Sequence, residues 1–229
     1  MAQPGFLPSR DGFAFTNTWP PAPALEIPVG LGKLGIGNAA RGLCGGMVFA
    51  ALDYWHAGTG PPAAQPAPGS PLYRYLVRRL IESWRIPQGV ARYYQWMSLP
   101  DRNQRVYLGS RRVLTRRGVS CRTIASEWPQ IRASLDDGIP VPLGLVTVAS
   151  ANPLQLGHNH QALAFAYTKS GSEVILRVYD PNSGQNDGIA IAFDGSSPAR
   201  ATFRHNLNLA RPVRGFFRVE YSPAVPPAS

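Results

Sequence analysis

Residues 37–55 are Gly-Asn-Ala-Ala-Arg-Gly-Leu-Cys-Gly-Gly-Met-Val-Phe-Ala-Ala-Leu-Asp-Tyr-Trp. From Met47 onward the apolar residues recur at three- and four-residue spacings, which indicates a helix. Gly45 and Gly46 are poor helix formers, and they would allow a substrate or another backbone to approach the sulfur closely. At a helix start, unpaired N–H groups and the helix dipole favour a thiolate. The stretch therefore predicts a helix that begins with a candidate nucleophile, Cys44.

A cysteine in an apolar helix can also be an ordinary core residue, and this stretch alone leaves both interpretations open. Cys121 is the second cysteine, and we expect it to be a strand or loop residue without a catalytic role. Two cysteines do not make a disulfide framework, and without a Cys-x-x-Cys pair they do not supply a thiolate zinc site.

The composition allows a substantial core, since 44% of the 229 residues are hydrophobic and 10% are aromatic. The length alone is compatible with one large domain or two small ones. We expect no membrane span, because no run of 18 apolar residues occurs. The first residues lack the basic start and apolar segment of a secretory signal peptide. We therefore expect a cytoplasmic protein or one that is exported by a specialised secretion system.

The net charge of +10 is almost entirely arginine. Thirteen arginines lie between Arg74 and Arg132, against only three acidic residues in that range. Such a surface could meet nucleic acid, anionic lipid or an acidic protein partner. No nucleic-acid-binding motif accompanies the charge, so we do not expect nucleic acid and first interpret the arginines as a solvated surface.

The order of elements predicts an α+β fold, because helices come first and antiparallel strands follow. Residues 1–36 form a proline-rich arm whose aromatic side chains should pack onto the body. Residues 37–222 are expected to form one domain with an arginine-rich middle at 74–132. The Cys44 helix should end near residues 56–58, and residues 58–71 should be a loop. We expect further helices at 72–84, 90–97 and 126–138. Ser70 should cap the first of these and Ser126 the last.

The strands follow the helices. They are expected at 139–148, 160–167, 173–179, 188–193 and 214–220, and residues 111–117 have weak strand character.

Two further stretches supply partners for a cysteine nucleophile. His160 begins one predicted strand, and Asp180 follows the next, with a Lys-Ser-Gly-Ser turn signal between them. Because the strands of a hairpin are antiparallel, the start of one lies beside the end of the other. The aspartate would hold the imidazole in the tautomer that accepts a proton from a thiol. Cysteine, histidine and carboxylate are the parts of a nucleophilic triad.

The chain here resembles the papain-like cysteine peptidases, and in particular the bacterial bacteriocin-processing group. The resemblance lies in Gly-Leu-Cys-Gly-Gly, Leu-Asp-Asp-Gly-Ile-Pro-Val, His-Gln-Ala-Leu-Ala-Phe-Ala-Tyr and Val-Tyr-Asp-Pro-Asn. It implies a papain-like fold, with N-terminal helices and the nucleophile at a helix start packed on a C-terminal antiparallel sheet. It also implies that Cys44 is the nucleophile, His160 the base and Asp180 the orienting residue, with no cofactor. The spacing to Tyr167 favours His160 over His158.

The resemblance also implies an amide donor to the oxyanion about six residues before the cysteine. This sequence has Asn38 there, where the family usually has glutamine. We therefore expect Asn38 and the N–H of Cys44 to form the oxyanion hole. His158 and Asn182 are secondary candidates, although Asn182 is also a typical turn residue.

The predicted reaction is hydrolysis of an amide bond in a peptide or protein through a thioester intermediate. The same triad could deamidate glutamine or cross-link it to an amine, as in some bacterial effectors and toxins. A different chemistry would be a metal site, because His158 and His160 would share one face of a strand and Asp180 could be a third ligand. A third alternative is a binding module whose basic face recognises an acidic partner.

Overall fold

The computed structural model describes the backbone of residues 5–19, 23–29, 32–38 and 42–228. The side chains of residues 23–38, 108, 112 and 113 lie outside this description. Its α-helices are α1 (Pro8–Asp11), α2 (Cys44–His56), α3 (Pro71–Trp84), α4 (Gln88–Met97), α5 (Val119–Arg122) and α6 (Trp128–Asp136). Its strands are β1 (Pro23–Val29), β2 (Gly32–Asn38), β3 (Gln104–Leu108), β4 (Arg111–Arg116), β5 (Val141–Val146), β6 (His160–Ser170), β7 (Glu173–Tyr179), β8 (Ala190–Asp194), β9 (Arg204–His205) and β10 (Gly215–Arg218).

Six of these strands form one antiparallel sheet in the order β10-β5-β6-β7-β8-β9. The pairs β1–β2 and β3–β4 are separate hairpins. The α+β class predicted from the element order is confirmed. Each of the five predicted main strands is present, with its ends shifted by a few residues at most, whereas β9 and the β1–β2 hairpin were not predicted. Among the described residues, no helix is both long and apolar enough to cross a bilayer.

Both faces of the central strand β6 are buried, which explains its continuous apolar sequence. Leu163 and Phe165 belong to a core shared with α2, α3 and α4, whereas Ala162 and Ala164 belong to a second core under α6. The sheet is therefore a middle layer between two groups of helices. The predicted helix α3 also has its predicted cap, since the Ser70 side chain accepts a hydrogen bond from the Tyr73 N–H.

The N-terminal residues pack onto this body as predicted. Phe6 and Phe13 are completely buried and Trp19 nearly so. Phe6 lies against Tyr179 of β7, with ring centroids 6.0 Å apart, and Phe13 meets the edge of Tyr54 in α2. Residues 5–19 therefore contribute to the same core that holds the Cys44 helix.

The helix predicted to start at Ser126 begins earlier, so the prediction of Ser126 as its cap is wrong. Residues Thr123–Glu127 form a π-helical turn that joins α5 to α6. Thr123 donates from its hydroxyl to the Phe216 carbonyl, and Glu127 accepts a hydrogen bond from the Arg218 N–H. These contacts with β10 favour an earlier helical start. Cys121 consequently lies in a helix, not in a strand or loop, and it is buried.

A buried ion pair connects α2, α3 and the C-terminal residues. Asp53 lies 2.8 Å from the Arg79 guanidinium and accepts hydrogen bonds from the Tyr75 and Tyr221 hydroxyls and the Ala224 N–H. Asp53 therefore binds a neighbouring arginine and backbone, and its burial is compensated by four donors.

Gly45 and Gly46 allow α3 to approach α2. A Cβ on Gly46 would lie 2.1 Å from the Leu76 carbonyl oxygen, and one on Gly45 would lie 2.3 Å from the Ser83 hydroxyl. The expected close approach is thus made by the backbone of another helix. Since both glycines follow Cys44 directly, this contact fixes the start of α2.

We predict that Gly46→Ala destabilises the fold by about 2 kcal/mol, because the added methyl meets fixed backbone in a packed core. Gly60→Ala is the control, since a Cβ there meets nothing within 4 Å. Thermal unfolding monitored by circular dichroism measures both. A Gly46→Ala protein as stable as the Gly60→Ala protein would contradict the role of the helix contact.

Candidate functional site

Cys44 is the first residue of α2, as the sequence predicted. It is partly exposed, whereas the next ten residues of the helix are buried. The backbone N–H groups of Gly45 and Gln161 donate to its sulfur. As the first helical residue, Cys44 also has an N–H without an acceptor inside the helix. Donors that favour negative charge therefore surround the sulfur.

His160 and Asp180 form a buried pair at one end of the β6–β7 hairpin. His160 is the first residue of β6, and Asp180 directly follows β7. The His160 Nε2 lies 2.8 Å from Asp180 Oδ1, and the two side chains are 6% and 0% exposed. The juxtaposition predicted from the hairpin is present. With Nε2 engaged by the carboxylate, Nδ1 is the ring nitrogen left for another partner.

That partner is Cys44, whose sulfur shares a hydrogen bond with the imidazole. Burial by itself raises the pKa of the Cys44 thiol, but the charge and hydrogen bond of His160 and the two N–H donors lower it below its usual value. Burial likewise opposes the charged imidazole, but Cys44 and Asp180 together raise the pKa of His160 to about 10. Both shifts favour a thiolate–imidazolium pair at neutral pH.

Asp180 is held as a carboxylate by several donors. Burial raises its pKa, and the hydrogen bond and charge of His160 and the N–H groups of Asn182 and Asn208 lower it below its ordinary value. The N–H groups lie 3.0 and 3.2 Å from the carboxylate, and the Ser183 hydroxyl lies at 3.2 Å. This set of donors keeps the carboxylate charged and directed at His160.

The other predicted site residues have different positions. The side chain of Asn38 lies outside the described residues, so its role in an oxyanion hole stays a prediction. His158 ends a 3₁₀ segment, Pro153–His158, and its carbonyl accepts a hydrogen bond from the Thr147 hydroxyl. The expectation that His158 and His160 share a strand face is wrong, because the strand begins only at His160.

Asn182 is a turn residue that bridges two loops. It lies in the 3₁₀ turn Pro181–Ser183, accepts a hydrogen bond from the Asn17 side chain and donates to the Asn208 carbonyl. Within the described part of the chain, no group of three or more His, Cys, Asp or Glu side chains is arranged to hold a metal ion.

Asn17 connects the two halves of the site, and sequence reasoning missed it. Its side-chain oxygen accepts a hydrogen bond from the Leu43 N–H at 2.6 Å, immediately before Cys44. Its side-chain NH₂ donates to Asn182 at 3.0 Å, and its backbone N–H donates to Pro181 at 2.9 Å. Asn17 therefore ties the loop before the cysteine to the turn after Asp180. No local pattern marks it, because its partners are distant in sequence.

Two further buried residues support the histidine strand. The Tyr93 hydroxyl donates to the His160 carbonyl at 3.3 Å, and burial, together with the nearby Cys44 charge, raises the pKa of Tyr93 well above its ordinary value. The Gln161 side chain donates to the Ser83 hydroxyl at 3.1 Å. Tyr93 is a core aromatic residue that also fixes the backbone carrying the candidate base.

No protein-family model matches the chain, and neither does any curated protein or solved structure. The geometry of Cys44, His160 and Asp180 and the chemistry these groups allow are therefore what point to a function.

We predict that Cys44 reacts with iodoacetamide at lower pH than a free cysteine, whose pKa is about 8.5. His160→Ala should shift the reaction of Cys44 to higher pH, because it removes the charge and hydrogen bond that lower the thiol pKa and leaves the burial that raises it. Peptide mass spectrometry across pH 4 to 9 measures the rates. His56→Ala is the control, since His56 is exposed and stacks on Tyr221. Identical profiles for the two variants would contradict the pair.

We predict that Asn17→Ala raises the pH at which Cys44 reacts and destabilises the fold by about 1–3 kcal/mol, because it leaves the Leu43 N–H without its acceptor. Asn103→Ala is matched, since Asn103 likewise accepts a hydrogen bond from one backbone N–H, that of Gly118. The control should lose stability without a change in the Cys44 profile. If Asn17→Ala lowered the stability but left the pH dependence of Cys44 alkylation unchanged, Asn17 would have only a structural role.

Proposed function

We propose that this protein is a papain-like cysteine hydrolase that cleaves amide bonds by acyl transfer. The observation that supports this most directly is the contact between Cys44, at a helix start, and the buried His160–Asp180 pair. A buried structural cysteine would need neither a charged histidine nor backbone donors around its sulfur. The lowered pKa of Cys44 and the raised pKa of His160 both favour a thiolate beside an imidazolium. This ion pair is the form that a cysteine nucleophile requires.

The reaction follows from the positions of these groups. The Cys44 thiolate attacks the carbonyl carbon of the substrate, and the carbonyl oxygen becomes an oxyanion. The imidazolium of His160 then donates its proton to the leaving amine, so that the C–N bond breaks and a thioester remains. Neutral His160 next takes a proton from water, whose oxygen attacks the thioester and releases the carboxylic acid and the thiolate.

The oxyanion is stabilised in this proposal by the N–H of Cys44 and the side chain of Asn38. The first donor is supported by the position of Cys44 at the helix start, where its N–H has no intrahelical acceptor. Asp180 orients His160 and stabilises the imidazolium, and it takes no proton itself.

The proposed substrate is a peptide or protein. The same thioester chemistry would convert a glutamine side chain to glutamate, or cross-link it to an amine. The metal-site alternative is weaker, because His158 lies outside β6 and the His160 ring already contacts both Cys44 and Asp180. A binding module would not need a buried aspartate that holds a charged histidine beside a cysteine.

We predict that the protein cleaves peptides in a mixture of protein digests and that Cys44→Ala abolishes the cleavage. Cys121→Ser is the control and should retain activity, because Cys121 is buried in α5. Mass spectrometry of the products separates peptide cleavage from conversion of glutamine to glutamate. Equal cleavage by the wild type and the Cys44→Ala variant would refute the proposal.

We also predict a broad pH profile for kcat/KM, which rises through the lowered pKa of Cys44 and falls above about pH 10 as His160 loses its proton. Asp180→Asn should move the alkaline limb to lower pH, because it removes a charge and a hydrogen bond that raise the His160 pKa. It should also lower kcat, but by less than Cys44→Ala does, because the amide oxygen of an asparagine can still accept the hydrogen bond from His160. An alkaline limb unchanged in this variant would contradict the role of Asp180.

A further inference from the structure

The described side chains of the β3–β4 hairpin form no buried face. Every described side chain from Gln104 to Arg117 is exposed, and the two strands pair only with each other among the described elements. Its base is held by hydrogen bonds from Arg116 to the Ser98 carbonyl and from the Gly118 N–H to Asn103. A two-stranded ribbon without a packed face gains little stability from its own pairing. Such an exposed ribbon is suited to contact with a surface outside the chain.

The charge of this segment has a single sign. Residues 102–117, which we call the arginine hairpin, contain six arginines, and no acidic residue occurs between Asp101 and Glu127. Among the ion pairs of the described residues, none involves an arginine of the hairpin. By contrast, Arg79 and Arg92 pair with the buried carboxylates of Asp53 and Glu127.

Apolar side chains lie between these charges. Val106 and Leu114 are directly opposite each other in the hairpin, so their side chains lie on the same face. They are 41% and 51% exposed, and the neighbouring Tyr107 is 53% exposed. An exposed aliphatic pair flanked by arginines contributes nothing to the core, and its burial would need an external apolar phase.

We propose that the arginine hairpin docks the protein on an anionic lipid surface. The arginines would meet phosphate and carboxylate groups of lipid headgroups, which are uniformly negative, so a face without acidic residues suffers no repulsion there. Val106 and Leu114 would enter the boundary between headgroups and acyl chains, and Tyr107 would lie at the interface that tyrosine favours. A nucleic acid is also uniformly negative, but an aliphatic pair does not stack on bases as aromatic side chains do. This proposal is independent of the proposed hydrolase activity.

The test is sedimentation of the full chain with vesicles of phosphatidylcholine, either alone or with about a third phosphatidylserine, at physiological salt. Binding is expected only to the anionic vesicles and should weaken as salt is raised. Arg105→Gln with Arg111→Gln should weaken binding about twenty-five-fold, from about fivefold per arginine. Val106→Ser with Leu114→Ser should weaken it about tenfold, because less apolar surface is buried.

The matched control is Arg200→Gln with Arg211→Gln, which removes the same charge from two exposed arginines outside the hairpin. It should bind nearly as tightly as the wild type. Circular dichroism checks that each variant is folded. The double arginine variant and the double aliphatic variant test two independent properties of the hairpin, its charge and its apolar surface. Equal binding to neutral and anionic vesicles, equal weakening by the control, or tighter binding to duplex DNA than to vesicles would overturn the proposal.

Discussion

The buried carboxylate of Asp180 is the charge on which the rest of the site depends. A carboxylate with no exposed surface is costly unless donors surround it, and here four groups do so: His160, Asn182, Ser183 and Asn208. Its charge favours a protonated imidazole, and the imidazolium in turn favours a thiolate at Cys44. The three charges alternate in sign, so each lowers the cost of burying its neighbour. Removing His160 would leave the two negative charges without the positive charge that they share.

For the charges of Cys44, His160 and Asp180 to alternate, α2 must begin at a fixed place beside β6. Two features hold the start of α2 there. Gly46 lets the α3 backbone approach α2, and Asn17 ties the loop before Cys44 to the turn after Asp180. The N-terminal residues are therefore part of the site's support, because Asn17 and the buried Phe13 belong to the same short segment. Helix packing and a hydrogen-bonded side chain together set where the sulfur lies.

Arginine has two distinct uses in this chain. Arg79 is buried between the rings of Phe49 and Tyr221 and pairs with Asp53, whereas Arg214 donates to Asp101 and to the carbonyls of Leu99 and Val148. The side chains of these two arginines are buried, and their hydrogen bonds belong to the structure. Among the described residues, no arginine of the exposed hairpin pairs with a carboxylate, and Arg116 donates only to the exposed Ser98 carbonyl, so the charge of the hairpin faces outward. The sequence shows their number but not this division, because pairing depends on residues that are distant along the chain.

Much of the architecture, and the position of His160 beside Asp180, followed from the sequence, because both depend on local pattern. The period of the apolar residues predicts α2, and Ser70 with its following proline predicts the start of α3. Antiparallel pairing of adjacent strands places His160 beside Asp180 without any long-range information. The tertiary structure alone decided the rest: the role of Asn17, the earlier helix start before Ser126, the position of His158 outside β6 and the division of the arginines. Each of these depends on a contact between segments far apart in sequence, and its energy outweighs the local preference that the sequence displays.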